Sequence, residues 1–475
     1  MGEGLEKQFH PLSLSGPKQP KLPTPIRLAR ILVDGVPRTT ILTARPALQR
    51  LPTRPGRLVQ SVLQRIIPFA LNWKKLQIRP GNAAEKLAKA FSAQQRGETT
   101  LLLAFRHPSA RDPLVLADLF WNRVPQEAKQ LGLPLPRRIE LRYLYDRGIP
   151  IWAGPVIGWL LQRCGGIAIH RGRLDRPALK EARQVLSQGR HALVVAPEGA
   201  TNNLSGEMAP LEPGVAQLAF WALEDLAKVD DQRQLIVLPI GIRYSWRQQN
   251  WTALDQRLSR LEEHLALSQE PTQTDPQPRQ RLLQIGSVLL DALEQLERIR
   301  NEPDQSFAER LAAFRQHGLQ RAERHFGLRA SGTVQERCRR IEQAAWDRIY
   351  RDNLETLTPL GRSLADWEAR EADLQLTRMR LVEHVSSVSG HYLEDKLEFD
   401  RCGELLLVVE DAIGWLQNRP INTGPSLGPQ RVELSVGDAL PVVTNLDQYQ
   451  RNRRQAVGSL TDALQQALQD LMEPE

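Results

Sequence analysis

Residues 99–121 read TTLLLAFRHPSARDPLVLADLFW, and this stretch decides how the surrounding chain is expected to fold. The apolar run 99–105 has the length of a buried strand, whereas 112–121 carries apolar residues at helical spacing. His107 lies at the end of the predicted strand, and Asp112 lies at the start of the predicted helix. A strand that leads into a helix through a short polar loop is the repeating unit of an α/β sheet.

The alternation of strands and helices continues on both sides of this stretch. It predicts an α/β fold, in which a mostly parallel sheet is flanked by helices and ligands bind beyond the carboxyl ends of the strands. The loops 106–112, 170–176 and 197–206 are therefore the candidate site loops. The predicted elements are helices at 57–72, 112–121, 150–162, 177–188 and 213–228, and strands at 99–105, 138–145, 165–170, 191–196 and 234–244.

The composition changes along the chain and predicts four parts. Residues 1–55 are rich in proline, which fixes φ and removes an amide donor, so an extended arm is expected before a core at 56–250. Leu, Ala, Arg, Glu and Gln at helical spacing predict an all-helical block at 251–430. Residues 431–475 supply a last strand, a turn and a closing helix. Because one strand is not stable alone, we expect it to complete the same sheet, which makes the helical block a large insertion before the last strand.

The net charge and the cysteine content indicate which partners and which cellular compartment to expect. The chain carries 63 Lys and Arg against 55 Asp and Glu, and its net charge of +8 favours anionic partners such as lipid head groups, phosphorylated substrates or nucleic acid. Cys164, Cys338 and Cys402 lie far apart without metal-ligand spacing, so we expect no disulfide, no metal site and a reducing, cytoplasmic compartment.

Any membrane contact is expected to be peripheral, on the inner face of a membrane. The amino terminus lacks the basic and apolar design of a signal peptide, and no apolar run reaches the roughly 18–20 residues that a spanning helix requires. The amphipathic helix at 57–72, flanked by Arg57, Lys74 and Lys75, is the candidate for surface contact. The alternative is that this helix packs on the sheet.

His107 and Asp112 are the candidate catalytic residues. A histidine whose one ring nitrogen is held by a carboxylate is fixed in tautomer and orientation, so its other nitrogen can accept a proton from a hydroxyl. The pair therefore predicts a general base. Asp112 precedes Pro113, so it is also a good helix N-cap, and the two roles are compatible.

Three further segments carry candidate binding residues. Arg171 and Arg173 follow the strand that ends at His170, where guanidinium groups can pair with phosphate or carboxylate; the alternative is a solvated loop. The turn Pro197-Glu198-Gly199 is expected to present a carboxylate that accepts a hydrogen bond from a substrate hydroxyl, although a surface turn is the common case.

After this turn, Ala200, Thr201 and Asn202 add donors that suit an oxyanion or a phosphate oxygen. Pro239 interrupts an apolar strand, so it is expected at a sheet edge or a strand end, where it would shape a pocket wall.

Taken in order, these segments resemble the four blocks of the 1-acylglycerol-3-phosphate acyltransferase family. The blocks are His-x4-Asp, a strand ending in arginine, Pro-Glu-Gly and Val-Leu-Pro-Ile, and the resemblance spans 99–244. The last strand and closing helix, 431–472, also resemble the family's carboxyl-terminal end.

The resemblance implies a glycerolipid acyltransferase fold and a mechanism without an acyl-enzyme. His107 would act as general base on the acceptor hydroxyl, Asp112 would orient it, and the hydroxyl oxygen would attack the thioester of acyl-CoA or acyl-carrier protein. These donors are co-substrates, and no cofactor is implied. Arg171 and the Glu198-Gly199 loop would hold the polar head of the acceptor, and Pro239 would line the acyl site.

The sequence departs from the family pattern in two blocks. The family usually has Thr-Arg-Ser after Glu-Gly, whereas this chain has Ala-Thr-Asn, so the arginine expected to grip phosphate is replaced by Thr201. In the second block Ala168 replaces the usual phenylalanine and His170 replaces an acidic residue. The block 251–430 has no counterpart in the small members of the family.

The expected acceptor is 1-acylglycerol-3-phosphate, in phospholipid biosynthesis at a membrane surface. One alternative is transfer to a non-phosphorylated hydroxyl or an amine, which the loss of the loop arginine permits. Another is a non-catalytic, membrane-associated scaffold whose arginine-rich helical block binds a partner. That block is mixed in charge and lacks a recognisable nucleic-acid motif, so nucleic acid is not the expected partner.

Overall fold

The computed structural model describes residues 41–170, 174–267, 277–300, 304–386, 388, 392, 398–417 and 424–472. Most of the predicted arm lies outside these ranges, as do Arg171 and Arg173. The described end of the arm contributes β1, Arg45–Pro46, which pairs in parallel with β8, Tyr350–Arg351, in the helical block.

The described residues contain a second, eight-stranded sheet, which forms the centre of the molecule. Seven of its strands follow one another in the order β2, β9, β7, β3, β6, β4, β5, and β10 adds to β7. The strands are β2 (Leu76–Arg79), β3 (Thr99–Phe105), β4 (Leu141–Asp146), β5 (Gly166–Ile169), β6 (Ala192–Val195), β7 (Gln234–Trp246), β9 (Gln430–Val436) and β10 (Leu440–Pro441).

Helices cover both faces of this sheet. The α-helices of the core are α1 (Arg57–Trp73), α2 (Ala83–Gln95), α3 (Asp112–Asp118), α4 (Val124–Gln130), α5 (Ile149–Ala153), α6 (Pro155–Arg163), α7 (Arg176–Gln188), α8 (Gly214–Lys228), α15 (Leu446–Arg451) and α16 (Arg453–Asp470). Those of the helical block are α9 (Trp251–His264), α10 (Pro278–Glu297), α11 (Phe307–Phe326), α12 (Val334–Ile349), α13 (Pro359–His384) and α14 (Phe399–Gln417).

The pairing is mostly parallel, so the predicted fold class is confirmed. β3 pairs in parallel with β6 and β7, and β4 pairs in parallel with β5 and β6. The antiparallel pairings are those of β7 with β9 and with β10. β3 is buried on both faces because Leu101 and Leu103 pack under one helical layer and Leu102 and Ala104 under the other.

The helical block lies between the last two long strands of the sheet. The chain leaves β7 at Trp246, builds α9 to α14 around an apolar core of its own, and returns as β9, where Gly241 faces Ser435. β9 also pairs in parallel with β2, so it joins β2 to the remaining strands. The strand predicted near 431 therefore completes the central sheet.

Several elements differ from those that the sequence predicted. β2 and α2 were not predicted from the sequence. The strand has only four residues, and the helix begins without a side-chain cap that would have marked its start. The predicted helix 112–121 ends as an α-helix at Asp118 and continues through a π-turn over Leu119–Arg123 into α4. The predicted helix 150–162 is broken at Gly154, whose φ of 91° is a conformation that glycine tolerates.

The expectation that Pro239 lies at a sheet edge or a strand end is wrong. Pro239 is buried inside β7, which is an interior strand, and it faces Ala104 of β3. Its carbonyl oxygen accepts a hydrogen bond from Gly437 N at 3.0 Å, where β9 turns toward β10. The N and the C=O of one strand residue point to the same side of the strand. The position where proline lacks an amide hydrogen therefore faces this turn, and no hydrogen bond between β7 and β3 is lost.

Candidate active site

The loop after β3 brings the two predicted catalytic residues together. Nδ1 of His107 lies 2.8 Å from Oδ2 of Asp112. β3 places His107 at the carboxyl end of the parallel strands, and α3 begins at Asp112. The carboxylate accepts a hydrogen bond from Ser109 N at 3.0 Å and caps no amide of α3, so the N-cap interpretation of Asp112 is wrong.

Asp112 is completely buried, and its second oxygen is held by a tyrosine of β7. Tyr244 OH lies 2.6 Å from Asp112 Oδ1. Burial, reinforced by the charge of Asp112, raises the pKa of Tyr244 well above its usual value, so the hydroxyl stays protonated and donates.

These contacts determine the tautomer of His107. An ionised carboxylate only accepts hydrogen bonds, so Nδ1 of the neutral imidazole carries the proton and donates to Asp112. Nε2 then carries the lone pair. The His107 side chain is 20% exposed, and among the described residues none hydrogen-bonds Nε2. The geometry therefore suits a base that takes a proton from an incoming group.

Glu198 is buried beneath the loop and contacts the backbone of His107. Its Oε1 accepts from His107 N at 2.9 Å, and its Oε2 accepts from Ala209 N at 3.0 Å. The carboxylate thus joins the loop after β3 to the loop after β6. Its predicted contact with a substrate hydroxyl stays a prediction, because both oxygens have internal partners here.

Gly199 is required by the shape of the same turn. Its φ is 72°, and a Cβ at this position would lie 2.2 Å from Oε1 of Glu212. Any other residue would strain the backbone and displace Glu212.

The two remaining loop candidates differ in exposure. Asn202 is buried, and its amide group donates to Glu207 O and accepts from Leu204 N. Thr201 is half-buried. Asn202 therefore shapes the loop from within, whereas Thr201 stays the predicted donor toward a ligand.

Pro239 does not lie in this cluster, and Arg171 and Arg173 lie outside the described residues. His170, which precedes Arg171, is buried and places Nδ1 3.0 Å from a guanidinium nitrogen of Arg147. The alternation of β7 places Pro239 on the face opposite Leu238 and Ile240, next to Gly437. Pro239 therefore lies on the face of the sheet that is covered by α16. Phe105, whose ring makes an edge contact with the ring of His107, lies on the opposite face.

Arg106 was not singled out from the sequence, although it lies directly before His107. It is fully buried, and its guanidinium donates to Ser205 O at 2.7 Å and to Leu204 O at 2.8 Å. Its Nε lies 3.7 Å from Glu198 Oε1. Burial lowers the pKa of Arg106, and the charge of Glu198 counteracts this effect. The buried pair therefore ties the backbone at Arg106 and His107 to the loop after β6.

Arg111 is a second cation that the sequence interpretation missed. Its guanidinium carbon lies 4.8 Å from the ring centre of Tyr244, and its Nε donates to Ser109 Oγ at 3.1 Å. Its position inside the His-x4-Asp segment was the available signal. Arg111 brings a half-exposed positive charge next to His107 and Asp112.

The helical block also contacts the site loops. Glu404 of α14 accepts from Ser205 N at 3.0 Å and from Tyr392 OH at 2.6 Å. Ser205 in turn accepts from Tyr244 N at 3.1 Å through its hydroxyl oxygen. No local sequence signal marks Glu404, because it lies 199 positions beyond Ser205.

An exposed apolar stripe lies on α1 and on the helices beside it. The stripe comprises Leu58, Val62, Ile66, Phe69 and Trp73 of α1, together with Trp152 of α5 and Val156 and Trp159 of α6. α1 and α6 are joined because Gln60 donates to the carbonyl of Arg163 at 2.9 Å. In the part of the chain that the structure describes, no helix combines the length and apolarity needed to cross a bilayer.

Comparison with known proteins gives one match. Residues 85–243 match the model of a family described as Acyltransferase. The match runs from α2 to β7 and includes His107, Asp112 and Glu198. Neither the comparison with curated proteins nor that with solved structures finds a match.

The burial of Glu404 predicts a pH-dependent stability. Burial raises the pKa of Glu404 from 4.5 to about 7, so the folded chain holds this proton to higher pH than the unfolded chain. The stabilisation from the protonated group is complete below about pH 4.5 and is lost as pH rises through about 7. We expect the free energy of unfolding of the native chain to fall by about 2 kcal/mol relative to Glu404→Gln from about pH 5 to about pH 8.

Urea denaturation of both proteins at the two pH values measures this difference. Glu398→Gln, at an exposed carboxylate just before α14, is the matched control and should follow the native chain. Parallel pH profiles for the native chain and Glu404→Gln would contradict the assignment.

Proposed function

Because residues 85–243 form an acyltransferase domain, we propose that this chain transfers an acyl group from a thioester donor, acyl-CoA or acyl-carrier protein, to a hydroxyl of a glycerolipid. The observation that carries the proposal is the 2.8 Å contact of His107 with a buried Asp112, which leaves Nε2 of the imidazole accessible. The role fits phospholipid biosynthesis at a membrane surface.

The proposed reaction proceeds in two steps without a covalent enzyme intermediate. Nε2 of His107 takes the proton of the acceptor hydroxyl while the hydroxyl oxygen bonds to the thioester carbonyl carbon. Asp112 stabilises the imidazolium that forms. The tetrahedral intermediate then expels the thiolate by breaking the carbon–sulfur bond, and the imidazolium returns its proton to the sulfur.

The surroundings of the pair support this division of roles. Tyr244 and Ser109 hold the carboxylate of Asp112 in place, while Glu198 fixes the backbone of His107. We assign these three residues to positioning, since each contacts the pair and none needs to touch substrate. Thr201 remains the loop donor proposed for the oxyanion or the acceptor head.

Arg111 is our candidate for binding an anionic acceptor such as 1-acylglycerol-3-phosphate. Thr201 stands where the family pattern has arginine, and Arg106 is committed to internal carbonyl groups. Arg111 is half-exposed beside the catalytic pair, and its stacking on Tyr244 holds the guanidinium plane in place. A phosphate can accept charge-assisted hydrogen bonds from such a group.

We further propose that the apolar stripe of α1, α5 and α6 docks on a membrane. Phe69 and Trp73 are 76% and 84% exposed, and Trp152 is 70% exposed. Contiguous apolar groups of this kind, including tryptophan, favour the interface of a bilayer. Lys74 and Lys75 are exposed at the end of α1, where they can contact anionic head groups.

Replacing the base tests the proposed reaction. His107→Ala should fold normally and lose about 10²- to 10⁴-fold in kcat, because the variant lacks the base that accepts the proton from the acceptor. Acyl transfer is measured with a labelled acyl thioester and 1-acylglycerol-3-phosphate. His191→Ala, at the opposite end of the strands, is the control and should retain full turnover. Normal turnover by His107→Ala would eliminate the mechanism, and the absence of transfer in the native chain would favour the scaffold.

Replacing Arg111 tests whether the acceptor carries a phosphate. Arg111→Gln should raise KM for 1-acylglycerol-3-phosphate about tenfold, because a charge-assisted hydrogen bond is lost, and should change KM for an uncharged monoacylglycerol much less. Arg190→Gln, at the amino end of β6, is the matched control. If the native chain prefers the uncharged acceptor, or the variant affects both acceptors equally, the phosphate assignment is wrong.

Flotation with anionic liposomes at low salt tests the docking surface. The native chain should float with the vesicles, whereas Phe69→Ser/Trp73→Ser should remain largely in the soluble fraction because the apolar contact is removed. Leu360→Ser/Trp367→Ser is a matched control, since these residues are exposed on α13 of the helical block. Equal flotation of the two variants would point to another membrane contact.

A further inference from the structure

Two side chains on one face of α14 contact the domain that is built on the central sheet. Oδ1 of Asp400 accepts a hydrogen bond from Trp246 N, at the end of β7, at 2.8 Å. Oε1 of Glu404 accepts from Ser205 N, in the loop after β6, at 3.0 Å. Residues four positions apart lie on the same face of a helix. This face of α14 therefore binds both an interior strand and a loop of the candidate site.

The backbone of α14 lies close to β7 at this point. A Cβ at Gly403 would lie 2.9 Å from the ring of Trp246, so the absence of a side chain permits the contact. The same ring makes an edge contact with Phe399, at a centroid distance of 5.6 Å. This packing fixes the position from which the buried Glu404 reaches Ser205.

Ser205 passes the contact on in two directions. Its hydroxyl oxygen accepts from Tyr244 N at 3.1 Å, and its carbonyl oxygen accepts from Arg106 at 2.7 Å. The peptide group between Leu204 and Ser205 donates to Glu404 and accepts from Arg106 at 2.8 Å. The amide, carbonyl and hydroxyl groups of Ser205 therefore each have a partner. Hydrogen bonds joined in this way strengthen one another.

Both directions lead to His107. The hydroxyl of Tyr244 donates to Asp112 at 2.6 Å, and Asp112 lies 2.8 Å from Nδ1 of His107. Arg106 directly precedes His107 in the chain. A displacement of Ser205 would thus act on the imidazole through its carboxylate partner and through its own backbone.

We infer that Glu404 is a positioning residue for the proposed base, so that the helical block holds the His107 imidazole in its reactive orientation through Ser205. This inference rests on the proposed function, because it gives the helical block a role in that reaction. Glu404 itself need not touch substrate. The role requires an acceptor oxygen for Ser205 N, so the amide of glutamine can replace the carboxylate.

Glu404→Leu tests the inference by removing this acceptor. A buried N–H without a partner is unfavourable, so the loop should shift to satisfy Ser205 N and misplace the imidazole. We expect kcat to fall by about 10- to 100-fold while KM for the lipid acceptor changes by less than about twofold. Glu404→Gln keeps the acceptor oxygen and should retain kcat within about threefold.

Glu410→Leu is the matched control, since it makes the same substitution at a second buried glutamate of α14. Glu410 accepts from Arg257 Nε at 3.1 Å, and Arg257 belongs to α9 of the helical block. The variant should lose stability and retain kcat. An equal loss of kcat in both leucine variants would mean that the effect comes from general loosening of the block, and would overturn the inference.

Proton NMR provides a measurement that needs no substrate. The Nδ1 proton of an imidazole that donates to a carboxylate resonates far downfield, and the signal of His107 is identified by its absence from His107→Ala. We expect this signal in the native chain, Glu404→Gln and Glu410→Leu, and its loss from Glu404→Leu. If Glu404→Leu does not fold, Ser205→Ala replaces it, because that variant removes only the acceptor of Tyr244 N.

An unchanged signal in the folded Glu404→Leu or Ser205→Ala variant, or an undiminished kcat in Glu404→Leu, would overturn the inference. A chain that shows the expected NMR pattern but transfers no acyl group would contradict the proposed function alone. The two failures are therefore distinguishable.

Discussion

The candidate site depends on one constraint, which is that the carboxylate of Asp112 is buried without contact with water. An ionised group in such a position is stable only when its oxygens are hydrogen-bonded, and three groups meet this need: Tyr244 OH, Ser109 N and His107 Nδ1. His107 and Ser109 donate from the loop that follows β3, whereas Tyr244 donates from the interior strand β7. The orientation of the imidazole is thus a product of sheet register as much as of local sequence.

The same dependence extends into the helical block. Tyr244 is held by Ser205, and Ser205 is held by Glu404 of α14, so the block supports the loop that supports the candidate site. Arg106 and Glu198 form a buried ion pair below this loop, and Glu198 accepts a hydrogen bond from the backbone N of His107. Removing one member would leave the other as an uncompensated buried charge, which is strongly destabilising in other proteins. The helical block is therefore structurally integrated with the domain built on the central sheet.

Local patterns were enough to predict the alternating elements, the fold class and the meeting of His107 with Asp112. These features depend on hydrophobic period and on residues five positions apart, which a sequence displays directly. The direction in which Glu198 and Asn202 point could not be predicted, because a turn carboxylate or amide has the same local pattern whether it faces solvent or the interior. Tyr244 and Glu404 were missed for a different reason. Their partners lie 132 and 199 positions away, and only the folded sheet and α14 bring them together.

The late position of β9 in the sequence affects how the chain folds during its synthesis. β7 leaves the ribosome long before its antiparallel partner, since the helical block must be synthesised between them. Until β9 arrives, one side of β7 exposes unpaired backbone groups, and β2 lacks the strand that joins it to the sheet. Such an edge is a template for pairing with other chains. The nascent sheet domain therefore passes through a long interval in which it is vulnerable to aggregation, and contacts of such high sequence separation make its completion slow.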